Sequence, residues 1–441
     1  MQRVVRVLYM RPKERVIQAL KHVEPDRVPI DLGGTWVSGI HAKAYYELRR
    51  YLGLPEKLPT IIDVGQQLAD VDRDISELFH IDVIDINRVL EPRAPYPRKY
   101  RFVGIDGSLK EVSEYEFWTW RTPYGIDVEM PKYVEVVECE DGFIGYAEGK
   151  PFGKMPKTGY YFWGLKHALA DAKTIEDVKK FDWDVGKVSD DVIEVLKKKA
   201  EYLYKYTDYA LVNPFMGSPV ALGAFRGLHA GGQTLRGWDK WFGDLKFRKP
   251  LAEAILDHIF EVMFYNIKKI IDAIGEYIQV QVIGYDDMGV ETGPQIGVEV
   301  FREFYKDRYA EVIGYVKKYS KAFTFLHSDG SIFPLIKEFI DIGLDIINPV
   351  QISAKGMEPE KLKKTYGEQI TFWGGGADNQ HILPFAKPDE LREHVKEIIR
   401  IFAPRGGFIF SSIHNIQPGV PPENIVTMFK TAYEYGKYPI K

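Results

Sequence analysis

The stretch Phe323–Gly330, FTFLHSDG, runs four apolar or β-branched residues into a histidine, a serine, an aspartate and a glycine. A glycine and an asparagine would turn the chain there more cheaply, so the imidazole of His327 and the carboxylate of Asp329 ask for another purpose. Other apolar runs end in the same kind of residue. YIQVQVIGYDD (277–287) delivers Tyr285, Asp286 and Asp287, and Glu291 follows in GVETGP. DIINPVQ (345–351) ends in Gln351, ITFWGGG (370–376) leads to Asp378, and GFIFSSIH (407–414) ends in His414. Two imidazoles and one or two carboxylates, from His327, His414, Glu291 and Asp329, make a ligand set for zinc with a position left for substrate or water. Lacking sulfur, such a set keeps the metal a harder Lewis acid, suited to polarising an oxygen. In a metal-free rival, His327 and His414 act as general acid–base groups and the aspartates anchor the substrate.

These residues matter together only if one element order brings them to one place. The runs are near-continuously apolar, the pattern of strands covered on both faces in a parallel sheet. Earlier strands are DRVPIDLGG (26–34), IDVIDIN (81–87) and YALVNPF (209–215). Helical patterns alternate with them, including VEVFREFYKDRYAEVIGYVKKYS, IFPLIKEFIDIG, PDELREHVKEIIRIF and PENIVTMFKTAYEYG. This βαβα order predicts an α/β fold, and no G-x-G-x-x-G follows any strand, so a closed (β/α)8 barrel is expected over a Rossmann sheet. The C-terminal ends of barrel strands form one rim, where active sites sit. A lone histidine at a strand end reads as structural; several on different strands of one rim read as a site. Residues 88–165, rich in aromatics and turns, predict a β-rich insertion near the barrel mouth, within a single domain spanning 1–441. Its aromatics Phe117, Trp118, Trp120, Tyr160, Tyr161, Phe162 and Trp163 serve either as a local core or as a wall for an aromatic substrate.

Composition excludes several classes. At 441 residues, 45% hydrophobic and 28% charged, the chain is a globular protein with a large core. A formal net charge of −4 offers no basic field for nucleic acid. No apolar run reaches membrane-spanning length, and the charge-studded N-terminus is no signal peptide. One cysteine, Cys139, permits neither an internal disulfide nor a cysteine-rich zinc site. The expected compartment is the cytoplasm.

Four stretches in order carry a family resemblance: RPKERVIQALKHVEPDRVP, YDDMGVETGP, FWGGGADNQ and HNIQPGVPPENI. They resemble, respectively, the opening segment of the methyltransferase branch, the double-aspartate loop, the Gly–Asn–x–Asp loop and the H-G-I-x-P-x-T-P-x-E-N signature of the uroporphyrinogen decarboxylase superfamily. The likeness runs over nearly the whole chain and implies a TIM barrel. The decarboxylases hold a many-carboxylate substrate with an arginine-rich segment after the first strand, whereas here that place reads DLGGTWVSGIHAKAY, without arginine. The thiol methyltransferases of the superfamily carry zinc on an H-x-C pair and a late cysteine, where this sequence has His327, Asp329 and His414.

Exchange of both thiolates for oxygen and nitrogen favours pulling charge off a bound oxygen, as cleavage of an aryl methyl ether requires. The resemblance therefore implies a zinc-dependent methyltransferase that demethylates a small methoxylated aromatic and hands the methyl to cobalamin. No D-x-H-x-x-G occurs, so the corrinoid is expected on a separate corrinoid protein, docked over the mouth. The metal ligands implied are His327, Glu291 and His414, with Asp329 the fourth; Asp287, Asp329 and Asp378 take catalytic or ligand-orienting roles. Tyr285, Asp286, Gln351 and Trp36 are the expected substrate contacts. Alternatives are a metal-free decarboxylase acting on a smaller acid, a methylcobamide:thiol methyltransferase, and a binding barrel without turnover. No nucleic-acid or membrane partner is expected, and a homodimer is left open.

Overall fold

The computed structural model describes residues 9–214, 216 and 225–441. Its centre is a curled seven-stranded parallel sheet. In spatial order the strands are Val83–Asp85, Ala210–Asn213, Val280–Tyr285, Phe323–His327, Ile346–Asn348, Thr371–Trp373 and Phe408–Ile409. Spatial order equals chain order, the mark of a sheet wound in one direction by βα units. The expected strands are therefore present but shorter; Phe215, the last residue of the run YALVNPF, lies outside the described residues. The expected first strand, DRVPIDLGG, forms no continuous ladder but two isolated bridges, Arg27 with Lys437 and Ile30 with Phe410, of which the second joins it to the end of the sheet. Its backbone nevertheless reaches both edges of the sheet: Phe410 N donates to Pro29 O at 2.9 Å, Asp31 N to Phe410 O at 2.8 Å, and Asp82 N to Ile30 O at 2.9 Å.

Side chains of a strand alternate between two faces, and here both faces are buried. Val83, Val212, Val280, Phe325, Ile346, Trp373 and Ile409 pack together inside the curl. Leu211, Ile283, Leu326, Ile347 and Phe372 pack outward against the helices. Continuing the inner row by one step of two residues changes its chemistry. Val83 is followed by Asp85, Phe325 by His327 and Ile346 by Asn348, all buried. The inner face is thus apolar until the C-terminal end of the strands, where it turns polar.

The helices behave as their sequences suggest. Pro388–Phe402 starts on proline with Asp389 and Glu390 in its first turn, and buries Leu391, Val395, Ile398, Ile399 and Phe402 along one stripe. The expected single helix over residues 298–320 is two, Val298–Phe304 and Lys306–Tyr319. Tyr305, at the break, sends its hydroxyl to His229 Nδ1 at 2.9 Å.

Between the first and second sheet strands lies an antiparallel β-rich region. It holds the hairpins Lys99–Val103/Leu109–Ser113 and Phe117–Arg121/Asp127–Pro131, and the meander Val134–Cys139, Gly142–Ala147, Lys150–Pro156. Trp120, Val128, Met130, Met155 and Phe162 give it a local core. Among the described residues no helix is long and apolar enough to cross a membrane.

Candidate metal centre

Parallel register sets Tyr285, His327 and Asn348 side by side at the ends of three neighbouring strands. Asn348 donates from Nδ2 to Trp373 O at 2.9 Å, which fixes the amide's orientation. Its Oδ1 lies 2.7 Å from His327 Nδ1. A carbonyl oxygen only accepts, so Nδ1 carries a proton and the Nε2 lone pair of the neutral ring points the other way. In that direction stand Asp287 Oδ1 at 3.4 Å and Asp329 Oδ2 at 3.5 Å. A lone pair facing two carboxylate oxygens is unfavourable unless a cation or a proton lies between them.

His327, Asp329 and His414 each bring one ligand atom into a group whose members lie within 4.8 Å of one another. The His327 and His414 rings are 5.4 Å apart, and His414 sits on a loop whose carbonyl accepts from Asn379 Nδ2 and Ser412 Oγ, both at 2.7 Å. Burial opposes a charge on His327, yet the carboxylates of Asp329 and Asp287 outweigh it and push the imidazole up to about 10. Burial likewise opposes ionisation of Asp287, but His327 beside it holds that carboxyl down to about 2. His414 is lowered, chiefly by burial, against the pull of Asp329. The site thus holds negative charge that it balances with a proton on His327 when no metal cation is there, and its two nitrogens and one oxygen fit zinc or a similar borderline ion.

The remaining letters of HSDG now have their reasons. Ser328 Oγ accepts from Met288 N at 3.0 Å, tying the two loops together. Gly330 has a φ of +88°, and a Cβ there would lie 2.3 Å from the Gly289 carbonyl carbon. Gln351, expected as a substrate contact, uses its Oε1 to accept from Gly330 N at 2.8 Å and so holds the turn behind Asp329.

Several expected site residues stand elsewhere. The structure does not bring Glu291 into the ligand cluster: its carboxylate is exposed and accepts from Gln380 Nε2 at 2.8 Å. The Gly289–Val290/Gly293–Pro294 ribbon carries it outward. Asp286 is fully buried and caps the helix Leu228–Arg236, accepting from Leu228 N at 2.9 Å and Ala230 N at 2.6 Å, with the Tyr309 hydroxyl as a third donor. Burial pushes its carboxyl up, and those donors pull back. Asp378 accepts from the backbone of Gln380 at 2.8 Å and pairs with His381 Nδ1 at 2.9 Å, organising its own turn. Asp287 is beside the cluster, and its Oδ1 also accepts from Asp329 N at 3.2 Å. Tyr285 links the cluster to Trp36, its ring lying 5.9 Å from His327 and stacked on Trp36 at 5.6 Å. Asn348 is the residue that sequence reasoning missed; its only signal was an asparagine one step of two beyond Ile346 on an inner row.

The family model described as uroporphyrinogen decarboxylase (URO-D) matches residues 165–435, more than half of the chain. Among solved structures, a methyltransferase from Methanosarcina mazei covers 97% of this chain and 99% of its own, with a TM-score of 0.54 at 17% identity. At that identity the likeness is one of fold. A GH113 beta-1,4-mannanase covers 54% of this chain and 78% of its own at 14% identity, and its TM-score of 0.28 carries no weight. No curated protein matches.

Proposed function

This chain belongs to the uroporphyrinogen decarboxylase family, and from that premise we propose that it is a zinc-dependent methyltransferase. It takes a methyl group from a methoxylated aromatic compound and passes it to the cob(I)alamin of a separate corrinoid protein. The observation that carries this reading is the His327–Asp329–His414 group, with ligand atoms within 4.8 Å of one another and the His327 lone pair set toward it by Asn348. That the fold of a methyltransferase covers nearly the whole chain supports it. So does the absence of arginine from residues 31–45, where a polyanionic substrate would need fork-shaped donors.

Zinc held by the two imidazoles and the Asp329 carboxylate supplies Lewis acidity toward an ether oxygen, easing departure of a phenolate. The chain does the rest by position and charge. Asn348 keeps His327 in the tautomer that leaves Nε2 free, as a metal-bound histidine needs. Asp287 adds negative charge beside His327 and balances a cation there. Tyr285 and Trp36, stacked next to the cluster, offer an aromatic face for a ring. We also read Pro29–Asp31 as the eighth stave that closes the sheet into a barrel, within one domain, with the partner docking over its open end.

Elemental analysis of protein purified without chelator tests the metal: about one zinc per chain is expected. Cob(I)alamin mixed with the zinc-loaded chain and a methoxybenzene should convert to methylcobalamin, and lose that conversion when the zinc is stripped. Protein that folds and carries no zinc would end the reading.

A further inference from the structure

One ring beyond the metal-ligating group, past Tyr285 and Trp36, lies a cavity of about 170 Å³. Three elements enclose it. The sheet contributes Asp85 and neighbouring loop residues, the β-rich region contributes Tyr100, Tyr133 and Ala147, and the helix Asp190–Tyr206 contributes Val192 and Leu196. The seven aromatics expected to wall a substrate are not in its lining; Tyr100 and Tyr133 of the same region are. A cavity of roughly 150 Å³ lined by apolar side chains holds a benzene ring, so this one fits a single ring with small substituents.

The polar groups in the wall are mostly spent on each other. Lys199 Nζ pairs with Glu114 at 2.6 Å, and Arg98 faces Glu148 at 4.0 Å. Asp63 accepts from Gly65 N and Gln66 N at 2.9 Å and from Gln66 Nε2 at 3.0 Å. Asp85 differs. It is 2% exposed, and its Oδ1 accepts from Asn87 N at 2.7 Å and Asn87 Nδ2 at 3.0 Å. Its Oδ2 takes no hydrogen bond from any described residue, although the carboxyl lines the cavity. Burial pushes that carboxyl up to about 7, against the pull of Asn87 and Lys199. The oxygen left over, on a carboxyl that lines the cavity, is placed to take a hydrogen bond from a ligand.

We propose that this cavity receives the aromatic ring of the methyl donor and that Asp85 accepts a hydrogen bond from a hydroxyl on that ring, which makes the substrates single-ring methoxyphenols. This rests on the methyl-transfer reading above and specifies its substrate. A ring carboxylate is disfavoured here, because it would stand among Asp85, Glu114 and Glu148, with Lys199 already paired to Glu114 and Arg98 facing Glu148. Arg226, over the Trp36 ring at 5.0 Å on the half-buried edge of the cavity, is the other cation such a carboxylate could reach.

The test is calorimetric titration of the zinc-loaded chain with 2-methoxyphenol, methoxybenzene and 4-methoxybenzoate, with no corrinoid present. The phenol should bind about ten- to a hundredfold tighter than methoxybenzene, and the benzoate weakest. Asp85→Asn, which keeps an oxygen for Asn87, should shrink the difference between phenol and methoxybenzene to within about threefold. Ala147→Leu, filling the cavity away from Asp85, should abolish binding of both while thermal melting shows a folded chain. Equal binding of phenol and methoxybenzene, a preference for the benzoate, or undiminished binding to Ala147→Leu would overturn the proposal. The two readings fail separately: the expected binding pattern without methyl transfer removes only the methyltransferase, and methyl transfer without the pattern removes only this pocket.

Discussion

Asn348 accepts the Nδ1 proton of His327 at 2.7 Å while its own Nδ2 donates to the Trp373 carbonyl at 2.9 Å. Three adjacent strands are thereby joined through one amide, and the imidazole is left a single orientation. Removing that acceptor should loosen the ring and free it to adopt the wrong tautomer. Asn348→Leu is expected to weaken zinc binding by about 10- to 100-fold, and to cost about 1–3 kcal/mol of stability for the buried N–H left without a partner. Competition against a chelator of known affinity reads the first, urea unfolding the second. Unchanged zinc affinity would show that Asn348 orients nothing.

Glu291 and His414 make opposite predictions about the ligand set. With its carboxylate exposed on Gln380, Glu291→Gln should keep zinc within about twofold of the parent, since a surface substitution of this kind alters little. His327→Ala, Asp329→Ala and His414→Ala should each lose the metal, because a three-ligand site with one donor gone holds zinc poorly. Zinc per chain, measured after dialysis, separates these outcomes. Loss of zinc from Glu291→Gln would restore it as a ligand through a loop movement.

How far the site was legible follows from these residues. His327, Asp329 and His414 were readable because strand-end position and residue type agree; period-two alternation after Phe325 places His327 on the inner face, and the other two follow on the loops at the same end. Glu291 was misplaced because the sequence shows a loop's length and not its exit direction, which the short ribbon at Gly289–Pro294 decides. Asp286 and Asp287 are adjacent and chemically identical in sequence; strand alternation sends one to a helix N-terminus and the other to the cluster. The seven parallel strands were legible as apolar runs. The segment at Pro29–Asp31 was read as a full strand, but Pro29 lacks an N–H and the ladder there is correspondingly thin.

Asp286 should behave as a folding residue. Its carboxylate serves two backbone N–H groups at a helix start and the Tyr309 hydroxyl. Asp286→Ala takes an acceptor from Leu228 N, Ala230 N and the Tyr309 hydroxyl at once and removes a helix cap, a cost of about 3–5 kcal/mol. The urea midpoint should fall with the m-value unchanged, while the protein that remains folded keeps its zinc and its ligand affinity. A stable variant that has lost ligand binding would return Asp286 to the substrate site.

Asp85 adds a pH dependence of its own, whose sign follows from its burial. The carboxyl titrates near 3.8 when unfolded and is raised to about 7 by burial in the folded chain. Below about pH 4 both states keep the proton. Between about 4 and 7 the unfolded chain has released it and the folded chain has not, so stability falls with each unit of pH. Above about 7 the loss is complete, at most about 4 kcal/mol for a shift of roughly three units. Asp85→Asn retains the acceptor for Asn87 and cannot ionise. It should match the parent at about pH 3.5 and exceed it by about 2–4 kcal/mol at pH 8 in urea unfolding, with an unaltered m-value. A gain equal at both pH values would point to packing instead of ionisation, and a loss at both would mean that Oδ2 has a partner within the chain. A gain confined to high pH, together with weakened methoxyphenol binding, is the exchange expected when a buried carboxylate is kept for a ligand at the expense of the fold.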